Sequence, residues 1–450
     1  MTKKYYKSSI YNLPTDSLTG DLLILNTFSG KLVRIQSHKA DIVSEYLSRE
    51  KVLESESEDF QMLKDTGLIV EEDTNEKELV DFQYNKIIYS KDTLEITIIP
   101  TDACNFNCVY CYQHEPYHFM SEETESSVIQ FIEKNVKAYK KLYISWFGGE
   151  PLLAKNTVIR LMQKIKEICR CCGVALVSRI TTNGYELDYA TFQSLVSNRV
   201  LYYQITLDGI KEIHDIQRPH KNGKGSFDKI LNNLKEIRDN SSSNRFQISI
   251  RMNISQKVLP YMDEFIELIN KEFSNDNRFS MIWEWVRDWG GTKISDVKHE
   301  LLGGPAAYLE WIDEATKRGI KSTDYFSYKL GSLQCEACKA NGFVINYDGT
   351  INKCSLALYG ESKNADLNHI GNIDLKGNAH IDDKKLAKWV VRREKLEGCT
   401  ECACYPFCMG VSCPYSVKIK NEDRCDREKK YALLMHLMIN KDKQNLSIII

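Results

Sequence analysis

Between Leu94 and Trp285 the chain alternates between short branched-apolar runs and longer amphipathic ones, and that rhythm leaves few folds open. The strand candidates are Leu94–Ile99, Leu142–Trp146, Ala175–Thr181, Leu201–Leu207, Phe246–Asn253 and Phe279–Trp285. Helix candidates lie near 121–138, 155–170, 189–197, 226–239 and 257–271. Strand and helix repeating in turn require crossovers, which are right-handed, so the expected sheet is parallel with helices packed outside it. Six such units give an α/β fold, a partial (β/α)6 TIM barrel open on one side, with its chemistry on loops at the strands' C-terminal ends.

The first of those loops reads Thr101-Asp-Ala-Cys-Asn-Phe-Asn-Cys-Val-Tyr-Cys-Tyr112 and carries Cys104, Cys108 and Cys111. With 15 cysteines in 450 residues, this triplet is expected by chance roughly 0.02 times per chain. A tight Cys-x3-Cys-x2-Cys loop can point three thiolates at one cubane iron–sulfur cluster and leave its fourth iron open. The competing chemistry is a zinc site completed by His114 or His118, although structural zinc spacings usually run as paired knuckles.

Later strand ends are polar too. Strand two runs into Trp146-Phe-Gly-Gly-Glu-Pro151, strand three into Thr181-Thr-Asn-Gly184 and strand four into Thr206-Leu-Asp-Gly209. Gly148 and Gly149 would let backbone approach a ligand closely, and Glu150 could hold an ammonium group. Thr182, Asn183, Thr206 and Asp208 suit hydroxyls or an amino-acid moiety; the alternative is ordinary turn chemistry. Arg251 would point a fixed cation inward, or else form a surface ion pair.

The cysteine triplet, the aromatic Tyr110 just before its third member and the Gly-Gly-Glu element together resemble the radical S-adenosylmethionine (SAM) superfamily. The resemblance implies SAM on the open iron and its reductive cleavage to methionine and a 5′-deoxyadenosyl radical. It also implies catalytic and metal-ligating roles for Cys104, Cys108 and Cys111. Cofactor contacts would come from Tyr110, Gly148, Gly149, Glu150, Thr182, Asn183, Thr206, Asp208, Arg218 and Arg251. Ile213-His-Asp-Ile-Gln-Arg218 followed by Gly223-Lys-Gly-Ser-Phe-Asp228 looks like the subgroup that modifies peptides.

Nine cysteines then fall between Cys335 and Cys425. Their order, Cys338-x10-Gly349-x4-Cys354, then Cys399-x2-Cys402-x5-Cys408-x4-Cys413 and Cys425, resembles the SPASM extension. That resemblance implies two auxiliary four-iron clusters, one on Cys335, Cys338, Cys354 and Cys413 and the other on Cys399, Cys402, Cys408 and Cys425, making three clusters in all. The spacing from Cys408 to Cys413 is one residue longer than the family's usual, and Cys404 is extra. Cys169, Cys171 and Cys172 close a helix with no ligand spacing and read as packing thiols. A disulfide framework is the other use of so many cysteines. No signal-peptide-like segment and no membrane-span-like run occur, so the expected compartment is the reducing cytoplasm, where clustered cysteines bind metal or do redox chemistry.

Net charge is -2, and no basic stripe interleaved with aromatics points to nucleic acid or to a membrane face. Three domains are expected: 1–85, 86–305 for the barrel, and 306–450 for a bridge and the SPASM region. In the first, Asp21–Ile35 reads as a hairpin turning at Ser29-Gly30, followed by helices at 38–49 and 57–66 and a strand at Gly67–Val70. The acidic run Glu71–Glu78 serves as linker or helix start. The pattern looks like the winged-helix-like element that recognises leader peptides of ribosomally made, modified peptides, where an exposed edge strand could pair with the leader. The alternative is a cap that only covers the barrel.

The function these resemblances imply is that of a radical SAM peptide maturase. It would install an intramolecular crosslink of the sactipeptide or ranthipeptide kind, with a thioether favoured over a carbon–carbon bond. Its partners would be a precursor peptide with a leader and an electron donor of flavodoxin or ferredoxin type. An anaerobic sulfatase maturase is the enzyme alternative, although Ser355 stands where that family places an aspartate base. A non-catalytic, metal-containing peptide-binding adaptor is the alternative of another class.

Overall fold

The computed structural model describes residues 3–17, 19–113, 117–289, 293, 298–299, 306–322, 335–358, 365–390, 398–408, 413–415, 427–443 and 448–449. The chain opens with β1 (Tyr5–Ser8), then β2 (Asn12–Asp16), β3 (Leu22–Asn26) and β4 (Lys31–Ile35), which form an antiparallel meander. Next come α1 (Ser37–Ser48), β5 (Val52–Leu53), α2 (Glu58–Thr66), β6 (Ile69–Glu71) and α3 (Glu76–Ile88). Ser57 caps α2 by accepting from Phe60 N, and Gly67 ends it in the left-handed region at φ +81°, as a helix stop of this kind requires. The expected hairpin, both helices and the strand are present. β1, β2 and β5, with β1 between β5 and β6 in a second small sheet, were not anticipated. Of the acidic run, Glu71 ends β6, residues 72–75 connect, and Glu76–Glu78 open α3.

The central body follows as β7 (Thr93–Ile98), α4 (Glu122–Asn135), β8 (Lys141–Trp146), α5 (Lys155–Cys172), β9 (Ala175–Thr182) and α6 (Tyr189–Ser197). It continues with β10 (Val200–Thr206), α7 (Lys211–Gln217), α8 (Phe227–Asn240), β11 (Gln247–Ile254), α9 (Met262–Phe273), β12 (Phe279–Trp285) and α10 (Ala306–Lys317). β7 to β12 are parallel neighbours in chain order. One face of these strands, with Ile96, Ile144, Ile205 and Ile250, is buried beneath helices that contribute Val158, Leu161, Met162 and Ile165 from α5. The other face carries Thr97, Ser145, Thr181, Gln204, Ser249 and Arg251, polar residues aligned by strand register. Such a split is what a partial barrel with an accessible inner face requires.

The sheet does not stop at β7. β13 (Gly342–Ile345) pairs parallel with it, and β14 (Thr350–Asn352), β15 (His369–Ile373) and β16 (Ala379–Ile381) add on antiparallel, making ten strands. α11 (Asp383–Val390) and α12 (Tyr405–Cys408) follow, then α13 (Arg427–Lys443) and β17 (Ile448–Ile449). β17 pairs parallel with β4 at Val33 and Arg34, while Leu434 and Met438 of α13 pack with Leu23, Leu25 and Leu32 of the meander. Among the described residues, no helix is long and apolar enough to cross a membrane.

Candidate active site

The chain leaves β7 and turns at Pro100 into the cysteine loop, where the N–H of fully buried Ala103 donates to Thr101 Oγ1 (3.0 Å). From Asn105 to Val109 the loop runs beside the segment after α7. Asn107 N donates to Pro219 O (2.8 Å), Val109 N to Gln217 O (3.0 Å), and Lys221 N to Asn105 O (2.8 Å). Cys104, Cys108 and Cys111 ride on this backbone, all half-buried. Burial pushes the Cys104 thiol up to about 12, with Cys108 and Glu150 adding to the effect. Cys108 is pushed up to about 11 by burial, against the pull of the Arg218 cation. Thiols so placed are protonated at neutral pH, and a bound metal would displace their protons.

Behind the loop stands a closed polar network. The Tyr110 hydroxyl donates to Asp208 Oδ2 and accepts from Arg218 Nη1 (2.8 Å) and Asn253 Nδ2 (3.1 Å). Asp208, fully buried, takes the Asn253 N–H at its other oxygen (2.8 Å) and lies 3.9 Å from Arg218. Burial lifts its carboxyl above the usual range, with Arg218 pulling the other way. His214 on α7 is fully buried and accepts from Asp208 N at Nδ1 (3.1 Å), which leaves Nε2 as donor to Ser226 Oγ (3.1 Å). Ser226 Oγ in turn donates to Arg218 O (3.0 Å). Burial drives the His214 pKa well below its ordinary value, in keeping with one donating and one accepting nitrogen.

The Gly-Gly-Glu turn passes directly over the loop. A Cβ on Gly148, whose φ is +132°, would meet Thr101 O at 2.4 Å, and one on Gly149 would meet Ala103 O at 2.2 Å. Both glycines closely approach the cysteine loop's own carbonyls, and Glu150 N donates to Ala103 O (2.7 Å). Glu150 is buried. Its Oε1 accepts from Leu152 N (2.9 Å) and Thr182 Oγ1 (2.6 Å), and its Oε2 from Asn183 N (2.6 Å). Burial raises its carboxyl to about 7, against the lowering by those three bonds. Asn183 Nδ2 reaches Asn105 Oδ1 (2.7 Å), so strand three touches the loop as well.

Thr206 ends β10 in register with Arg251, which faces the inner side of the sheet and donates from Nε to Asn253 Oδ1 (2.9 Å). Most of the residues singled out at the strand ends thus converge on one loop. His214, Ser226, Asn253 and Asn105 were missed. Alternation puts Asn253 on the same face of β11 as Arg251, and His214 and Ser226 lie within the Ile213–Arg218 and Gly223–Asp228 stretches, so each had a usable signal.

The C-terminal cysteines form two groups. Cys335 and Cys338 bracket a single 3-10 turn, and the Cys335 thiol is raised by its hydrogen bond to Cys338 and by burial. Cys354 follows β14, its thiol raised by burial, with Cys335 and Cys413 adding to it. Cys402, Cys404 and Cys408 lie in the apolar cluster shared with the meander, and Cys399 packs beside Tyr11 and Tyr405. The expected ligand Cys425 and the alternative zinc ligand His114 lie outside the described residues. His118 is occupied otherwise, with Nδ1 on Asp102 (2.9 Å) and its ring stacked on Tyr347.

The loop fits an iron–sulfur cube held by three thiolates. A cube takes its cysteine sulfurs at separate corners, which three cysteines spaced along one loop can supply. Arg218 Nε and Asn105 Nδ2 are buried donors without a hydrogen-bond partner, and both sit on the loop's own supports. Unmet donors of that sort suit an electron-rich, thiolate-bound group.

Residues 98–254 match the model of the radical SAM superfamily. An uncharacterised protein of Methanocaldococcus jannaschii is 29% identical over 170 residues, 38% of this chain, and the chain spans only 56% of it. A cysteine-type anaerobic sulfatase-maturating enzyme of Clostridium novyi is 24% identical over 70% of this chain and 87% of its own length. In fold, the chain is similar to native anSMEcpe with bound AdoMet and Cp18Cys peptide, at TM-score 0.59 and 18% identity, over 79% of this chain and 100% of that one. It is also similar to Streptococcus suis SuiB bound to precursor peptide SuiA, at TM-score 0.52 and 12% identity, over 94% of this chain and 100% of that one. The segment that builds the cysteine loop and its supports is a radical SAM domain.

Proposed function

We propose that this enzyme is a peptide maturase that installs an intramolecular crosslink in a ribosomally made precursor, a thioether in the favoured form. The observation that carries the reading is the inner face of the sheet. From Thr97 to Arg251 it is a polar, partly exposed surface aligned beneath the cysteine loop, suited to an extended chain of amides rather than to a compact apolar substrate. Support comes from the sulfatase-maturating relative and from two solved neighbours that hold peptides.

In this reading Cys104, Cys108 and Cys111 hold the SAM-binding cluster. When bound, cluster and SAM supply one electron and an adenosyl radical able to take hydrogen from an unreactive C–H bond. The chain's own residues do the positioning. Tyr110, Asp208, Arg218 and Asn253 hold the loop in one shape, so the thiols need not reorganise on loading. Glu150, with Thr182 and Asn183, offers a carboxylate to an ammonium group at the loop's edge, and Arg251 offers a guanidinium to a carboxylate from the inner face. Cys335, Cys338, Cys354 and Cys413 would hold one auxiliary cluster, and Cys399, Cys402, Cys408 and Cys425 another, each able to accept the electron that thioether formation releases. The β2–β4 meander, docked on the Cys399–Cys408 segment, would receive the leader, and a flavodoxin- or ferredoxin-type protein would supply electrons.

The deciding experiment is anaerobic reconstitution with iron and sulfide, dithionite reduction, and incubation with SAM and peptides encoded by short reading frames beside the gene. Deoxyadenosine together with a peptide lighter by two hydrogens supports the crosslink. Deoxyadenosine with conversion of a cysteine to formylglycine in a sulfatase-derived peptide supports the second reading, a sulfatase maturase, which the Clostridium novyi relative favours. Absence of deoxyadenosine in a fully loaded protein would overturn both.

A further inference from the structure

Lys353 immediately precedes Cys354 just after β14 and is fully buried. Its ammonium donates to three backbone carbonyls, Lys339 O (2.6 Å), Gly342 O (2.5 Å) and Glu336 O (3.3 Å), and lies 5.5 Å from the centre of the Phe343 ring. Among the described residues no carboxylate pairs with it. Glu95, on the neighbouring strand β7, is taken by Lys339. Carbonyl dipoles satisfy the donors of a buried ammonium but leave its net charge standing, and an uncompensated buried cation is strongly disfavoured.

Around that charge stand two thiols and two carboxylates beyond ion-pair distance: burial lowers the Lys353 pKa to about 8, while Cys338, Glu336, Cys335 and Glu95 all favour the charged form. The three carbonyls all belong to the segment 336–342, which contains Cys338 and directly follows Cys335, and Cys354 is the next residue of the chain after β14 and Lys353. The side chain therefore ties the turn bearing two cysteines to the segment bearing a third. Neutral thiols would not balance an ammonium; a set of thiolates would.

We propose that Lys353 is a positioning residue for the first auxiliary centre: it clamps the Cys335–Cys338 turn onto the Cys354 segment, and its buried charge balances a thiolate-bound cluster and raises that cluster's reduction potential. The inference rests on the auxiliary-cluster reading given above. A fixed cation in surroundings of low polarisability favours the more negative, reduced form of a nearby cluster, which would make this centre the better electron acceptor of the two.

The test uses the full chain with Cys104, Cys108 and Cys111 replaced by alanine, so that only auxiliary centres contribute, titrated with dithionite and followed by electron paramagnetic resonance. Lys353→Met removes the charge at similar length, and Lys353→Arg keeps it. The expected result is one midpoint at least 59 mV more negative in Lys353→Met, a tenfold smaller reduced-to-oxidised ratio at a given potential, and recovery in Lys353→Arg. Loss of about four irons in the Met variant but not in the Arg variant would support the same conclusion, since assembly would then require the charge. An unchanged midpoint in Lys353→Met overturns the proposal, as does equal iron loss in both variants, which would reduce Lys353 to a steric clamp. A parent protein without iron would overturn the auxiliary-cluster reading itself, before either substitution is compared.

Discussion

The two cysteine regions on this one sheet are fastened by opposite means. The Cys104–Cys111 loop is braced by side chains that carry their own countercharge, Asp208 against Arg218 with Tyr110 between them. The Cys335–Cys354 region is braced by the Lys353 ammonium on backbone carbonyls and by Asn368 on both backbone groups of Cys354, and among the described residues no carboxylate makes an ion pair with that ammonium. A region whose charges close on themselves keeps its shape whether loaded or not; a region with an open charge depends on what its thiols carry.

The sharpest way to break this contrast is to remove the first set of ligands. Cys104, Cys108 and Cys111 replaced together by alanine should abolish deoxyadenosine formation, read by chromatography, while about eight irons per chain remain by metal analysis. Loss of all iron would mean that the two regions assemble as one.

Next in size is the brace itself. Asp208→Ala leaves Arg218 buried without its carboxylate, and urea denaturation should show a loss of about 3–5 kcal/mol. Gly149→Ala adds a Cβ at 2.2 Å from Ala103 O, and this forced backbone shift should lower stability by about 1–3 kcal/mol and reduce SAM cleavage.

Glu150 sharpens the contrast through pH. Its carboxyl is raised by burial from the ordinary 4.5 to about 7, so the folded chain binds a proton that the unfolded chain has released. Stability from this group is therefore full below about 4.5, falls as pH rises towards about 7, and is level above that, a change on the order of 3 kcal/mol. Denaturation of Glu150→Gln across that window should lack this slope. The smallest effect belongs to the far side of the second cysteine group. Thr27 donates to Ala403 O, and Thr27→Val should lower stability by about 1 kcal/mol and speed alkylation of Cys402 and Cys404.

The strand and helix rhythm of the barrel was legible because each unit is local, and amphipathic spacing survives without knowledge of the fold. α6 occupies 189–197 as read, and the cysteine loop sits where its strand ends. What stayed hidden was non-local. Nothing in Gly342–Ile345 announces that it joins β7 in parallel, because a four-residue apolar run carries no address. Gly148 and Gly149 lie close against Thr101 and Ala103, a contact that composition cannot announce because it cannot tell one carbonyl from another. Lys353 gave no signal, since a lone lysine acquires meaning only from what is folded around it.

The docking of the meander on segments far along the chain bears on the order in which the molecule can be built. Thr27 and Ala403 are bonded across 376 positions, and β4 receives β17 along its outer edge. During synthesis the meander therefore emerges with that edge bare and its apolar residues uncovered until α13 has been made, a long exposure for strands prone to pair with whatever they meet. The meander is made well before the segment that finishes it.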